Sequence, residues 1–222
     1  ILSVLTNSNQ IIESKQKLKI AYATEWSGID VDIETKNVID LFLTDLKRSG
    51  HEVEFFVPPI DFDKCEEIYG IILGYEYKQM IPYPFRLRPF MDVFNYFFNS
   101  RRFKTGKFKE SFKIGLLAKR KEYRHALNDA EIFRTKFNSS LEAFDIWLTP
   151  VSPGPAIQHQ ETGSELALNG QMLPYADYLG HFLTSTALFH HPILVAPIGV
   201  NSLKLPIGIQ LHGKHMEDWK LL

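Results

Sequence analysis

The sequence predicts an α/β fold, a mixed twisted sheet flanked by helices, and three observations carry that prediction. A strand, a helix and a second strand read in order over residues 18–57. A long amphipathic helix over about 121–144 needs a sheet to lie against, and three apolar runs later in the chain have strand character. With 222 residues, 45% of them apolar, the chain can bury a sizeable core. No repeat, low-complexity tract or linker interrupts it, so residues 1–222 read as a single unit.

The elements follow in order. The opening residues Ile1 to Ile12 lack a starting methionine and a basic leader, so they do not read as a secretory signal; they are expected to be the stump of a helix in a longer polypeptide. Leu18 to Ala23 reads as a strand. Ile33 to Arg48 reads as a helix, with Val38, Leu41, Phe42 and Leu46 on its buried face, Asp32 as its cap and Gly50 just past its end. Val53 to Val57 is the second strand, with a right-handed crossover expected between the two. The loop Trp26-Ser27-Gly28-Ile29-Asp30 lacks the spaced glycines of a phosphate cradle and reads as a plain loop.

After Pro58-Pro59 a helix is expected over about Phe62 to Tyr77, burying Ile68, Ile71, Ile72 and Tyr75. Proline turns and an aromatic stretch with Phe90, Phe94, Phe97 and Phe98 follow, for which core packing is the first expectation, ahead of an apolar substrate floor or a membrane contact. The helix of about Lys121 to Phe144 places Ala126, Ala130, Phe133, Phe137, Leu141 and Phe144 at three-four spacing. Asp145 to Thr149, Ile193 to Ala196 and Leu205 to His212 supply strands. The second has no polar alternation, as for a strand covered on both faces. In the third, Ile207, Ile209 and Leu211 alternate with Gly208, Gln210 and His212, which describes a half-buried strand. Turn residues at Gly199 to Ser202 favour an antiparallel return between these two.

Composition excludes several classes of function. The 25 basic and 26 acidic residues nearly cancel, so the whole-chain field favours neither nucleic acid nor anionic membrane. Ten basic residues between Arg101 and Arg124, interleaved with Phe103, Phe108, Phe112 and Tyr123, read as a solvated face rather than a nucleic-acid surface. The single cysteine, Cys65, rules out an internal disulfide, points to a reducing, cytoplasmic setting and is expected to be a buried structural thiol. His190, His191, His212 and His215 do not form a convergent ligand set, and no cofactor or metal is expected.

The residues from Asp145 onward resemble the C-terminal portion of the amidase-signature hydrolases. Asp145, Thr149, Pro150, Pro155 and Ala156 stand as in that family's acidic residue, Thr-Pro strand end and Pro-Ala loop. Tyr175 to Phe189 is similar to its pocket-lining helix, Pro192 to Gly199 to its proline-flanked strand, and Leu205 to Gln210 to its Leu-Pro-x-Gly-x-Gln strand, with Gly213, Glu217 and Asp218 after it. Lys19 to Tyr22 and Ser49 to Val53 are similar to the family's middle region. Where the family has an Asn and a Gly before the proline strand, this chain has Ala187 and His190.

The resemblance implies hydrolysis of a carboxylic amide by a serine nucleophile. It also implies a lysine and a Gly-Gly-Ser-Ser-Gly-Gly type segment, and no such segment occurs here. The expectation is that this part lies upstream of Ile1, that these residues supply pocket wall and platform, and that no catalytic residue is among them. Ser139-Ser140 reads as a helix face. Asp177, His181 and Ser185 share a helix face at i, i+4 and i+8, but a rigid row along one helix does not orient a triad. By resemblance Asp177, Gly180, His181 and Thr184 are the substrate-binding candidates. The partners implied are a small-molecule amide and the upstream catalytic part, with self-association of the isolated chain; the alternative is a non-catalytic α/β binding or scaffold protein built on the same platform.

Overall fold

The computed structural model describes residues 17–80, 107–161 and 163–221. The helix stump expected at 1–12 and the aromatic stretch around Phe90 to Phe98 lie outside the described residues.

The described chain forms β1 (Lys19–Tyr22), a small hairpin of β2 (Glu25–Trp26) and β3 (Ile29–Asp30), α1 (Ile33–Arg48), β4 (Glu52–Phe55), α2 (Phe62–Met80), α3 (Lys107–Leu117) and α4 (Arg120–Ser140). It continues through β5 (Ile146–Pro150), a second hairpin of β6 (Leu166–Leu168) and β7 (Gln171–Leu173), α5 (Tyr175–Thr184), a 3₁₀ turn (Thr186–Phe189), β8 (Ile193–Val200) and β9 (Pro206–His212). The main sheet has the order β4-β1-β5-β9-β8. The first three strands run parallel, and β9 is antiparallel to both β5 and β8. The mixed sheet is therefore as expected.

α1 starts and stops where its signals stand. The Asp32 carboxylate accepts from the Thr35 amide at 2.6 Å, and Gly50, at φ +92°, lets the Gly50 and His51 amides turn back onto Lys47 and Leu46. Its buried face is rotated from the expected one: Thr35, Ile39 and Leu43 are buried, whereas Leu41 is 68% exposed. The loop at 26–30 is more ordered than expected. Ser27 and Gly28 both have positive φ, which closes a two-residue hairpin turn whose twist matches its strands.

α4 ends at Ser140, short of Phe144. The Leu141 amide reaches both Phe137 and Asn138 carbonyls and tightens the last turn, while Phe144 stays buried just beyond it. At the start of β5 the Asp145 carboxylate accepts from the Lys19 amide at 2.8 Å while its own amide bonds to Lys19 O, so the acidic residue zips β5 to β1.

Beneath the sheet lies an aromatic core. Trp147, Phe137, Phe182 and Phe189 are fully buried; Phe137 stacks on Phe189 at 3.9 Å and Trp26 on Phe62 at 4.6 Å. Cys65 is buried, and burial with the nearby Asp61 charge pushes its thiol up to about 12, the inert state expected.

The helix pair α2 and α3 packs backbone to backbone. A Cβ on Gly74 would stand 2.2 Å from Phe112 O, and one on Gly115 would stand 2.2 Å from Ile71 O. Gly115→Ala is therefore expected to push the helices apart and lower stability by about 2 kcal/mol, read as a lower urea midpoint; an unchanged midpoint would show that the contact yields freely.

Two strand expectations need correction. β8 is not covered on both faces, because Ile193 and Val195 are exposed, and among the described residues it stands at an edge of the sheet. β9 is not half-buried with a wet polar face, because Gln210 and His212 are each only 2% exposed. The polar side of that strand faces a polar interior.

Candidate functional site

The four candidate residues all lie on α5. At about 100° per residue, positions 177, 180, 181 and 184 fall within about a 100° arc, so the helix presents them together. They divide by burial: His181 is 5% exposed, whereas Asp177, Gly180 and Thr184 are half-buried. Asp177 sits in the first helical turn, where the unpaired amides favour a negative charge. Thr184 donates to Gly180 O at 3.0 Å, and a Cβ on Gly180 would meet the Thr184 methyl at 3.2 Å, so the missing side chain gives room to its neighbour.

His181 is a clamp. Its Nε2–H donates to Trp26 O at 3.1 Å, and its ring lies 5.5 Å from the Trp26 ring and 4.8 Å from that of Phe182. Ser185 does not turn toward the imidazole; its hydroxyl donates to the His181 carbonyl at 3.1 Å. The row Asp177, His181, Ser185 thus lacks the serine-to-imidazole bond of a triad. Ser139 and Ser140 occupy the last turn of α4, where Ser140 bonds back to Phe137 O.

The Trp26 hairpin carries the clamp outward to a cleft of about 560 Å³. The cleft opens beyond the carboxyl end of β4 and is walled by Trp26, Phe55, Val57 and Phe62, with Glu25, Asp30 and Asp61 also on its lining. Carboxyl ends of parallel strands are where open α/β sheets take ligands. None of the four α5 residues lines this cleft; His181 stands behind Trp26.

Between β5, β9 and α5 runs a buried polar chain, two members of which, Gln210 and His212, alternation had placed on the open face of a half-buried strand. The Gln210 amide nitrogen donates to Pro150 O at 2.7 Å, Phe182 O at 3.0 Å and Thr149 Oγ1 at 3.1 Å. Thr149 Oγ1 meets His212 Nε2 at 2.7 Å, and His212 Nδ1 meets His191 Nε2 at 2.5 Å. Thr149 is fully buried, so its hydroxyl has no access to a substrate. Burial, then the neighbouring imidazole, holds His212 well below its ordinary value, and burial brings His191 down to about 4. Among the described residues no group of three or more His, Cys, Asp or Glu side chains is placed to hold a metal ion. No helix among them is long and apolar enough to cross a membrane.

His190 takes the left-handed conformation, φ 52° and ψ 42°, at the end of the 3₁₀ turn. A residue with a Cβ is strained there by about 1 kcal/mol. His190→Gly is accordingly expected to raise stability by up to about 1 kcal/mol, read as a higher melting temperature, less what the glycine's extra freedom costs in the unfolded chain.

Comparison with known proteins adds a family. The amidase family model matches residues 3–222. A glutamyl-tRNA(Gln) amidotransferase subunit of Alkaliphilus metalliredigens is 27% identical over 219 residues, covering 92% of this chain and 43% of that protein. Its counterpart in Bdellovibrio bacteriovorus is 38% identical over 96 residues, covering 41% of this chain and 18% of that protein. Among solved structures, an amidase overlays 99% of this chain and 46% of its own at a TM-score of 0.70 and 19% identity. A 6-aminohexanoate cyclic dimer hydrolase overlays 94% and 44% at 0.65, also with 19% identity. The chain spans less than half the length of each of these proteins.

Proposed function

The chain belongs to the amidase family, and from that premise we propose that it forms the pocket wall and sheet platform of an amidase hydrolysing a carboxylic amide, the serine nucleophile coming from a segment upstream of Ile1. The observation that carries this reading is the match itself: it runs over nearly the whole chain yet reaches less than half of the relatives' length. The local chemistry agrees. A serine must be activated by a base to attack an amide, and the candidate row on α5 instead spends its serine on a backbone carbonyl. In this reading α5 borders the amide-bearing group through Asp177, Gly180 and Thr184, while His181 fixes the Trp26 hairpin at the rim. The lone buried thiol fits a cytoplasmic setting.

The test joins the coding sequence upstream of Ile1 to this chain. The longer polypeptide is expected to contain a Gly-Ser-Ser-Gly segment with a preceding lysine and to release amine from a simple aryl or aliphatic amide, and the 222 residues alone are expected to release none. A start codon at Ile1, or hydrolysis by the isolated chain that His181→Ala abolishes, would overturn the reading. The competing reading, a non-catalytic scaffold, draws on Ala187 and on the strained His190 in place of glycine. It gains if the longer polypeptide carries the serines and still turns over no amide.

A further inference from the structure

The cleft beyond β4 is acidic, and its floor is aromatic. Glu25, Asp30 and Asp61 stand on its lining with no lysine, arginine or histidine beside them, and its volume of about 560 Å³ lies within the roughly 300–1,000 Å³ of small-molecule sites. Of the three acids only Asp30 is in an ion pair among the described residues, with Lys36 at 3.5 Å. The Lys64 ammonium turns to Glu67 at 2.8 Å instead. Asp61 accepts from the Lys64 amide at 2.9 Å, which caps α2 and engages one of its two oxygens, while Glu25 is exposed. A cleft lined by one sign of charge concentrates the opposite sign.

The wall supplies a second, independent observation. Trp26 is 6% exposed, yet its Nε1–H has no acceptor among the described residues, and a buried donor is ordinarily paired. The indole is held where it stands: its ring stacks on Phe62 at 4.6 Å, and its carbonyl accepts from His181 Nε2–H at 3.1 Å. Phe55, 48% exposed, and Val57 complete an apolar side.

We propose that this cleft binds a small primary ammonium compound with an apolar body and an oxygen acceptor next to the ammonium, as in an amino alcohol. The ammonium donates to Glu25 and Asp61, the apolar body lies on Phe55 and Val57, and the oxygen accepts from Trp26 Nε1–H. Anionic ligands are repelled by the same carboxylates. The site is separate from the α5 face, since Asp177, Gly180 and Thr184 do not line it, and it does not require the serine-bearing part.

Calorimetric titration with L-phenylalaninol tests the site on the polypeptide translated from its own start codon; this amino alcohol has no amide bond to hydrolyse. It is expected to bind at least tenfold more tightly than hydrocinnamyl alcohol, which lacks the ammonium, and at least threefold more tightly than phenethylamine, which lacks the hydroxyl. Glu25→Gln combined with Asp61→Asn is expected to lower the affinity at least tenfold, and Asp61→Asn keeps an acceptor for the α2 cap. Asp45→Asn, at an exposed acid on α1, is expected to leave it within twofold. Trp26→Phe is expected to erase the preference over phenethylamine. Glu25 and Asp61 are both exposed, so their double variant tests the site even if Trp26→Phe does not fold. Affinity unmoved by the double variant, or equal affinity for hydrocinnamyl alcohol, would overturn the site and leave amide hydrolysis standing. A preference that survives Trp26→Phe would overturn the part given to the indole. Binding by a polypeptide without the serine segment would keep the site and remove the hydrolase.

Discussion

Gln210→Leu is expected to cost about 3 kcal/mol of stability, because it strands Pro150 O in a dry interior at roughly 1–3 kcal/mol and removes a donor from Thr149 Oγ1 and from Phe182 O, which keeps the Thr186 hydroxyl at 3.1 Å. Leucine has a similar volume, so the loss is of hydrogen bonds rather than of packing. The effect reaches further than β9. Gln210 ties the end of β5 to the C-terminal part of α5, the helix with the candidate pocket residues, so the variant is expected to loosen that helix before the rest of the fold. Urea unfolding measures the first effect and hydrogen exchange at residues 178–185 the second. A loss below about 1 kcal/mol would mean that water takes over the amide's bonds.

Acid is expected to act through the same chain of side chains. His191 and His212 have folded values below that of a free imidazole, mainly because burial opposes the charged form. Below about pH 6.5 the unfolded chain takes up protons that the native chain refuses. The stability is therefore complete above that pH and lost as pH falls toward the folded values, about 4 for His191. At pH 5 the loss is about 2 kcal/mol for His191, and His212 adds to it in the same direction. One added proton still fits the hydrogen-bond chain, but a second sets N–H against N–H across the 2.5 Å contact between the rings. Urea midpoints between pH 7.5 and 5 test this, with His191→Gln expected to flatten the profile; an unchanged midpoint down to pH 5 would contradict it.

Much of the fold was legible because it is written locally. Asp32 and Gly50 mark the ends of α1 by backbone chemistry that involves only their neighbours, and the strand residues of β1, β5 and β9 carry their own patterns. Leu41 misled because it stands at the margin of the apolar arc: the buried stripe of α1 is Thr35, Ile39 and Leu43, spaced i, i+4 and i+8, and a threonine within it carries no hydrophobic signal. Gln210 and His212 misled for a related reason. Alternation reveals that two faces of a strand differ, yet a polar face satisfied by Thr149, Pro150 and Phe182 looks in sequence just like one satisfied by water.

The sequence by itself determined the α/β class, the two ends of α1, the inert buried thiol and the resemblance now shown as membership of the amidase family. Those depend on local sterics, on hydrophobic periodicity and on the order of short motifs. Only the tertiary structure decided that His181 clamps the Trp26 hairpin, that His191, His212, Thr149 and Gln210 join into one buried chain, and that β8 stands at an uncharged edge. Residues 155 apart in the case of the clamp, and 61 apart for Gln210 and Thr149, meet only through packing. No local pattern encodes which partner a polar side chain will find there.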